Sequence, residues 1–145
     1  MYELKLIRSV LKEDAPVNVT TAADAVKYIE RNCQPKDEQW REMAWVLTLD
    51  SGQRITGHFL LSVGGVNETV FDKKIIAKVA VEHLAHSVIL VHNHPSGNPM
   101  PSQSDIKQTK EVGDGLKCLD ISLLDHIIIS EDKYFSFASD TVTKI

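Results

Sequence analysis

The sequence predicts an α/β protein, a mixed β-sheet flanked by helices, and three observations predict it. Segments with strand periodicity and segments with helical periodicity alternate in the order β-α-β-β-α-β-α-β-β. A continuous apolar run, "SVILV" at residues 87–91, stands between two helical segments, as a strand buried on both faces does. Finally, 43% of the 145 residues are hydrophobic and no repeat or low-complexity tract interrupts them, which suffices for one core without disulfide staples.

Tyr2 to Val10 alternates polar and apolar residues and reads as a half-buried strand. Thr20 or Thr21 caps a helix from about Ala22 to Asn32, with Ala22, Ala25, Val26 and Ile29 on one face. "QPKDEQ" is a polar connection. Glu42–Asp50 and Arg54–Ser62 form a hairpin around the turn signal "DSGQ", and Gly64-Gly65 breaks its second strand. Asp72 to Ala85 has helical spacing at Ile75, Ile76, Val79, Ala80, His83 and Leu84. After the buried strand comes a polar helix, Ser102 to Leu116, with "GDG" as its expected stop. "ISLLDHIIIS" and "YFSFAS" are two further strands around an "EDK" turn. Trp40 and Trp45 are expected as packing anchors. No internal domain boundary is visible, so residues 1–145 read as one domain.

The net charge of −4 argues against nucleic acid as the main partner, because duplex binders usually carry a basic face. Lys73, Lys74 and Lys78 make only a small basic helix face, expected to be solvated. No apolar run approaches the ~18 residues that span a bilayer, so no membrane association is expected. The N-terminus lacks the uninterrupted apolar core of a signal peptide. Cys33 and Cys118 read as reduced thiols, and the expected compartment is the cytoplasm.

The chemistry concentrates in "LVHNHPSGNPMPSQSD", Leu90 to Asp105. Residues i and i+2 of a strand project to the same side, so His92 and His94 can aim two imidazoles at one point. They end a buried strand, where ligand sites of α/β sheets gather. Two neutral imidazoles are half of a typical zinc site, and Asp105 is the nearest suitable carboxylate for a third ligand. The turn-forming "PSGNPMP" holds the segments with little entropy left to lose. "SQSD" from Ser102 to Asp105 also fits a capping box, which needs no metal. The two readings are compatible, since Ser102 can cap the helix and serve the site.

His92-x-His94, seven residues, Ser102, two residues, Asp105 resembles the complete JAMM (MPN-plus, or JAB) metallopeptidase motif. "HNHPSGNPMPSQSD" and "LLDHIIIS" resemble the bacterial RadC-like branch of that superfamily, historically labelled DNA repair proteins. The likeness covers roughly residues 40–138 and leaves 1–39 as an extension packed on the core. It implies a JAB/MPN architecture, similar to cytidine deaminases, with Zn2+ held by His92, His94 and Asp105. It also implies an upstream glutamate as proton shuttle. Glu42 is preferred over Glu38, Glu68 and Glu82 because it begins the apolar strand. Ser102 would donate to an oxyanion. His126 matches a family position and would stand behind a ligand with Asp125 beside it; a buried structural histidine is the alternative. His58, His83 and His86 have no partner spacing, and Gly64-Gly65 reads as a bulge or turn.

The implied function is a zinc-dependent hydrolase acting on amide bonds of a peptide or protein substrate. The alternatives are a RadC-type nucleic-acid module in DNA repair and a metal-bearing interaction domain without turnover. Longer RadC-like proteins carry a helix-hairpin-helix segment, and residues 1–39 show no glycine hairpin between basic helices, so the repair label transfers poorly. "HNH" lacks the spacing of the nucleases of that name. Neither Pro-Cys-x-x-Cys nor His-Glu-x-x-His is present. No feature of the sequence assigns a substrate identity or an oligomeric state.

Overall fold

The computed structural model describes residues 17–33, 40–64 and 71–145. The strand expected at Tyr2–Val10, the connection 34–39, Gly65, Glu38 and Glu68 lie outside the described residues. Helix α1 spans Ala22–Asn32, as the pattern predicts. Its N-cap is Thr21, whose backbone N–H donates to Asp24 Oδ2 at 2.8 Å. The hairpin is β1 (Met43–Leu49) and β2 (Ile55–Val63). Helix α2 is Lys73–Glu82, shorter at both ends than expected. Asp72 caps it by accepting from the N–H groups of Lys74 and Ile75. Leu84, at φ 48°, turns the chain left-handed while the Ala85 N–H returns to Ala80 O at 2.9 Å.

Strand β3 is Ser87–Asn93, buried at every position. Helix α3, Gln103–Lys117, runs straight through the "GDG" expected to stop it. Gly113 continues the helix and packs against Leu123, which lies 3.7 Å from where a Cβ would sit. The stop comes later, as a Schellman turn: Asp120 takes φ 55°, and the Ile121 N–H donates to Leu116 O at 3.1 Å. Ile121 and Leu116 then pack in the same cluster. Strands β4 (Ser122–Ile129) and β5 (Lys133–Ser136) follow. A further strand, β6 (Thr141–Lys144), was not predicted, because all four of its residues are exposed and give no alternation.

These strands form one six-stranded sheet in the order β2-β1-β3-β4-β5-β6. β3 and β4 are parallel, joined through α3, and the other pairs are antiparallel, so the sheet is mixed. One face packs under α1 through Trp45, Leu47, Ile89, Val91, Ile127 and Ile129. The other packs under α2 and α3 through Ala44, Val46, Val88 and Leu90. Trp45 is the anchor expected of it, whereas Trp40 is 61% exposed. It precedes β1, where no sheet covers it, and the Arg41 guanidinium lies 3.9 Å over its ring.

The β3–β4 ladder slips by one residue. Val88 faces Leu123, but Ile89 faces Asp125, so Leu124 is extra. The slip reverses the alternation of β4. His126 pairs with Leu90 and falls on the α3 face, while Asp125 falls on the α1 face.

Candidate metal centre

β3 delivers both histidines to the α2/α3 face at its C-terminal end, as period-2 geometry requires. The His94 N–H donates to Ile129 O at 2.9 Å and keeps the chain in strand register one residue beyond β3. Because β1 runs antiparallel to β3, its beginning lies beside the end of β3, and Glu42 immediately precedes it. Asp105 comes from the first turn of α3. Its Oδ2 accepts the Ser102 N–H at 2.8 Å, and its own N–H donates to Ser102 Oγ at 3.0 Å. The capping box is real, and it is also what aims the carboxylate.

His92 Nε2 lies 2.9 Å from His94 Nε2. Asp105 Oδ1 is 3.4 Å from His92 Nε2, and Oδ2 is 3.3 Å from His94 Nε2. Glu42 Oε1 stands 3.7 Å from His94 Nε2. Ligand atoms of Glu42, His92 and His94 lie within 4.8 Å of one another. By distance, Asp105 is the carboxylate nearest both rings, and Glu42 approaches the same Nε2 edge of His94 from slightly farther away. Glu42 Oε2 is buried with no hydrogen-bond partner among the described residues. Such an atom is costly unless a solvent or substrate group reaches it.

Burial pushes the His92 imidazole below its ordinary pKa against the pull of Asp105. For His94 burial acts the same way, but Asp105, the Asn98 carbonyl and Glu42 outweigh it and raise the ring. Burial likewise works to raise Asp105, and the two imidazoles and the Ser102 N–H overcome it, holding the carboxyl well below the usual range. The site therefore calls for one positive charge among these groups, which a proton on His94 or a cation can supply.

Zinc fits this donor set. A tetrahedral ion with bonds of ~2.0–2.1 Å separates its ligand atoms by about 3.3 Å; here the two imidazole nitrogens lie 2.9 Å apart, and the Asp105 carboxylate reaches 3.4 Å from His92 with Oδ1 and 3.3 Å from His94 with Oδ2. The outward nitrogens are occupied: His94 Nδ1–H donates to Asn98 O at 2.9 Å, and His92 Nδ1 lies 2.7 Å from His126 Nε2. His94 Nε2 is thereby free to face inward as an electron-pair donor.

The predicted residues thus divide. His92, His94, Asp105 and Glu42 meet at one place. Ser102 caps α3 beside them, exposed. His126 is fully buried against His92, behind the cluster. Asp125 is on the opposite face. There it accepts from Ser136 Oγ at 2.7 Å and from the N–H groups of Ala138 and His126, and burial raises its carboxyl. Its role is to tie β4 to the chain beyond β5. Glu82 pairs with Lys78 at 2.8 Å on α2, and His58 Nδ1 bonds the Tyr28 hydroxyl at 2.8 Å. Lys73 of the small basic face pairs with Glu111 at 2.7 Å.

Sequence reasoning missed Asn93 and Thr109. Asn93 Oδ1 accepts the Met43 N–H at 2.6 Å and Asn93 Nδ2 donates to Arg41 O at 2.8 Å, so one amide grips the main chain on both sides of Glu42. Its signal was its place between the histidines, on the opposite side of β3. Thr109 bonds His126, and only its position one helical turn after Asp105 could have singled it out.

The model of the RadC-like JAB domain family matches residues 19–142. A UPF0758 protein of Porphyromonas gingivalis is 46% identical over 143 residues, covering 97% of this chain and 62% of the relative. One from Flavobacterium johnsoniae is 40% identical, covering 70% and 44%, and one from Aliivibrio fischeri is 33% identical, covering 95% and 59%. The chain spans roughly half the length of the curated relatives it matches. Among the described residues no helix is long and apolar enough to cross a membrane. With its mixed sheet, the three helices of its described residues and the residues gathered at the end of β3, the chain belongs to the RadC-like JAB domain family.

Proposed function

We propose that the chain is a zinc-dependent hydrolase that cleaves amide bonds, peptide or isopeptide, with His92, His94 and Asp105 holding the ion. The observation that carries this reading is the approach of the two imidazole nitrogens to 2.9 Å, with one Asp105 oxygen 3.4 Å from His92 and the other 3.3 Å from His94, and a buried Glu42 oxygen beside them that has no hydrogen-bond partner among the described residues. When bound, zinc would supply a Lewis acid and lower the pKa of water to about 7. Glu42 takes the proton of the attacking water and passes it to the leaving amine nitrogen. The Ser102 Oγ accepts the Asp105 N–H, which leaves its own hydrogen to donate to the substrate carbonyl oxygen as charge builds there. A carboxylate base, a hydroxyl donor and a pair of imidazoles each suit the role assigned. A peptide or protein is the proposed partner and the cytoplasm the proposed compartment. No feature of the described residues favours the nucleic-acid reading.

Elemental analysis of protein purified without added metal tests the centre, with about one zinc per chain expected. A stoichiometry near zero that added zinc does not restore would overturn it. Glu42→Gln should keep zinc and lose hydrolysis of a peptide library by about 10²–10⁴-fold, the contribution typical of a general base. Hydrolysis that survives the change would remove Glu42 from the role.

A further inference from the structure

At the rim of the metal centre stands a cation that no step of the proposed reaction uses. Arg41 comes one residue before Glu42, and its main-chain oxygen accepts from Asn93 Nδ2 at 2.8 Å. Asn93 lies between His92 and His94, so this bond ties the backbone of Arg41 to the segment that carries both proposed ligands. The side chain is held separately. Its guanidinium carbon lies 3.9 Å from the centre of the Trp40 ring, and Trp40 is 61% exposed. Strand β1 begins after both residues, and neither belongs to the core clusters.

A guanidinium lying on an indole is oriented and still available. Its charge is attracted to the ring face, while its N–H groups form a rigid fork in its own plane. Among the described residues no carboxylate oxygen comes within 4.0 Å of the Arg41 guanidinium nitrogens, and no acceptor takes their hydrogens. Glu42, the nearest acid in the sequence, turns to His94 Nε2 at 3.7 Å instead. Elsewhere the cations of this acidic chain find acids: Arg54 holds Asp50 at 2.8 Å, Lys78 holds Glu82 at 2.8 Å, and Lys73 and Lys110 hold Glu111 and Asp114 at 2.7 Å. The Arg41 fork is therefore open to an anion from outside. A planar carboxylate matches it with two parallel N–H···O bonds.

One guanidinium suits a single carboxylate better than a polyanion, which takes a row of cations to replace its counterions. The rim beside Arg41 is apolar: Val63, paired with Met43 across the hairpin, is 44% exposed. We propose that Arg41, braced on Trp40, is a specificity residue that binds a carboxylate of the peptide substrate, donated by the chain terminus or by an Asp or Glu side chain. The nearness of that carboxylate to a scissile bond rests on the proposed hydrolase reading, whereas its capture by Arg41 belongs to the metal-free protein as well.

Metal-free protein at pH 7.5 tests the capture without hydrolysis. The probes are acetyl-tetra-alanine with a free terminal carboxylate, the same peptide amidated, and the amidated peptide with one alanine replaced by Glu. Affinities come from titration calorimetry and from the Trp40 indole N–H in ¹H–¹⁵N spectra, with Trp45, 3% exposed, as the inert reference. At least one acid-bearing peptide should bind about 10–100-fold more tightly than the neutral one, and the one that does identifies the source of the carboxylate. In Arg41→Gln the three affinities should converge. On zinc-loaded protein the same preference should appear in KM and not in kcat, because a contact remote from the reacting atoms binds ground and transition states alike. Equal binding of acid and neutral peptides by the wild type overturns the proposal, as does a preference that survives Arg41→Gln. So does short oligo-thymidine that binds more tightly than any of the peptides and is lost in Arg41→Gln, which would make the cation a nucleic-acid contact. A carboxylate preference in metal-free protein, with no hydrolysis of any peptide by the zinc-loaded form, upholds the subsite and overturns the hydrolase reading instead.

Discussion

The two faces of the β3–β4 pair are built from the same strands at the same depth and do opposite things. Toward α1 the pair presents Ile89, Val91, Ile127 and Ile129, all at most 2% exposed. Toward α2 and α3 it begins with Val88 and Leu90 and then places His92 and His126, each wholly buried. Burying imidazoles in place of aliphatics costs stability unless each nitrogen has a partner. His126 meets that demand with Thr109 on one side and His92 on the other. His92 meets it on one side only, and its second nitrogen looks into the cluster of His94 and Asp105. One face spends its burial on cohesion. The other leaves a single inward demand open, and that demand is the site.

The largest test of this division is Ile127→Ala, which should cost about 2–5 kcal/mol of unfolding free energy. Zinc bound per folded molecule should not change; a parallel loss of zinc would show that the faces are not separable. Next is Asn93→Ala. It strips one amide from the Met43 N–H and the Arg41 carbonyl and should cost about 1–3 kcal/mol in denaturant titrations. Because the freed backbone flanks Glu42, hydrolysis should fall further than zinc affinity. Equal falls in both would mean that the amide supports the histidines and not the base.

The smallest effect is that of pH on the metal-free protein. Burial lowers His58 on the α1 face and His92 and His126 on the other, while His94 is raised. An unfolded histidine takes its proton near pH 6.5. A lowered ring in the fold refuses it, so the stability it permits is present above about 6.5 and is lost as pH falls, by at most about 1.4 kcal/mol per unit per ring. His94 works the other way, its contribution present at low pH and lost as pH rises through its folded value. With three rings against one, urea midpoints should drop from pH 7.5 to 5.5. His58→Gln should flatten the drop modestly, and a midpoint that rises on acidification would contradict the burial of these rings.

The sequence made the centre legible because its geometry is local. Period-2 projection brings His92 and His94 together, and a short turn with a capping box returns Asp105 to them. Helix α1 was legible to the residue for the same reason, from its cap and its apolar spacing. What stayed hidden depended on partners distant in sequence. Gly113 reads as a stop, but the helix runs on to Lys117 and ends at the Asp120 turn, which the Ile121 N–H closes onto Leu116. Trp40 reads as core until the sheet is found to begin after it. β6 has no apolar side and exists because β5 offers an edge. Asp125 and His126, adjacent in the chain, read as one unit and prove to serve opposite faces. Glu42 lay between these cases: the resemblance pointed to it, but only the antiparallel pairing of β1 with β3 brings it to the histidines.

That last separation comes from the extra residue at Leu124. Were the ladder regular there, with Leu124 opposite Ile89, Asp125 would fall opposite Leu90 beneath α3 and His126 opposite Val91 beneath α1. Thr109 and the nitrogen of His92 would then confront an acid where a neutral ring now sits. The wiring of the centre is thus decided by counting: a single backbone increment, silent in composition and in hydropathy, sets which of two neighbouring side chains stands behind the histidines and which does the stitching.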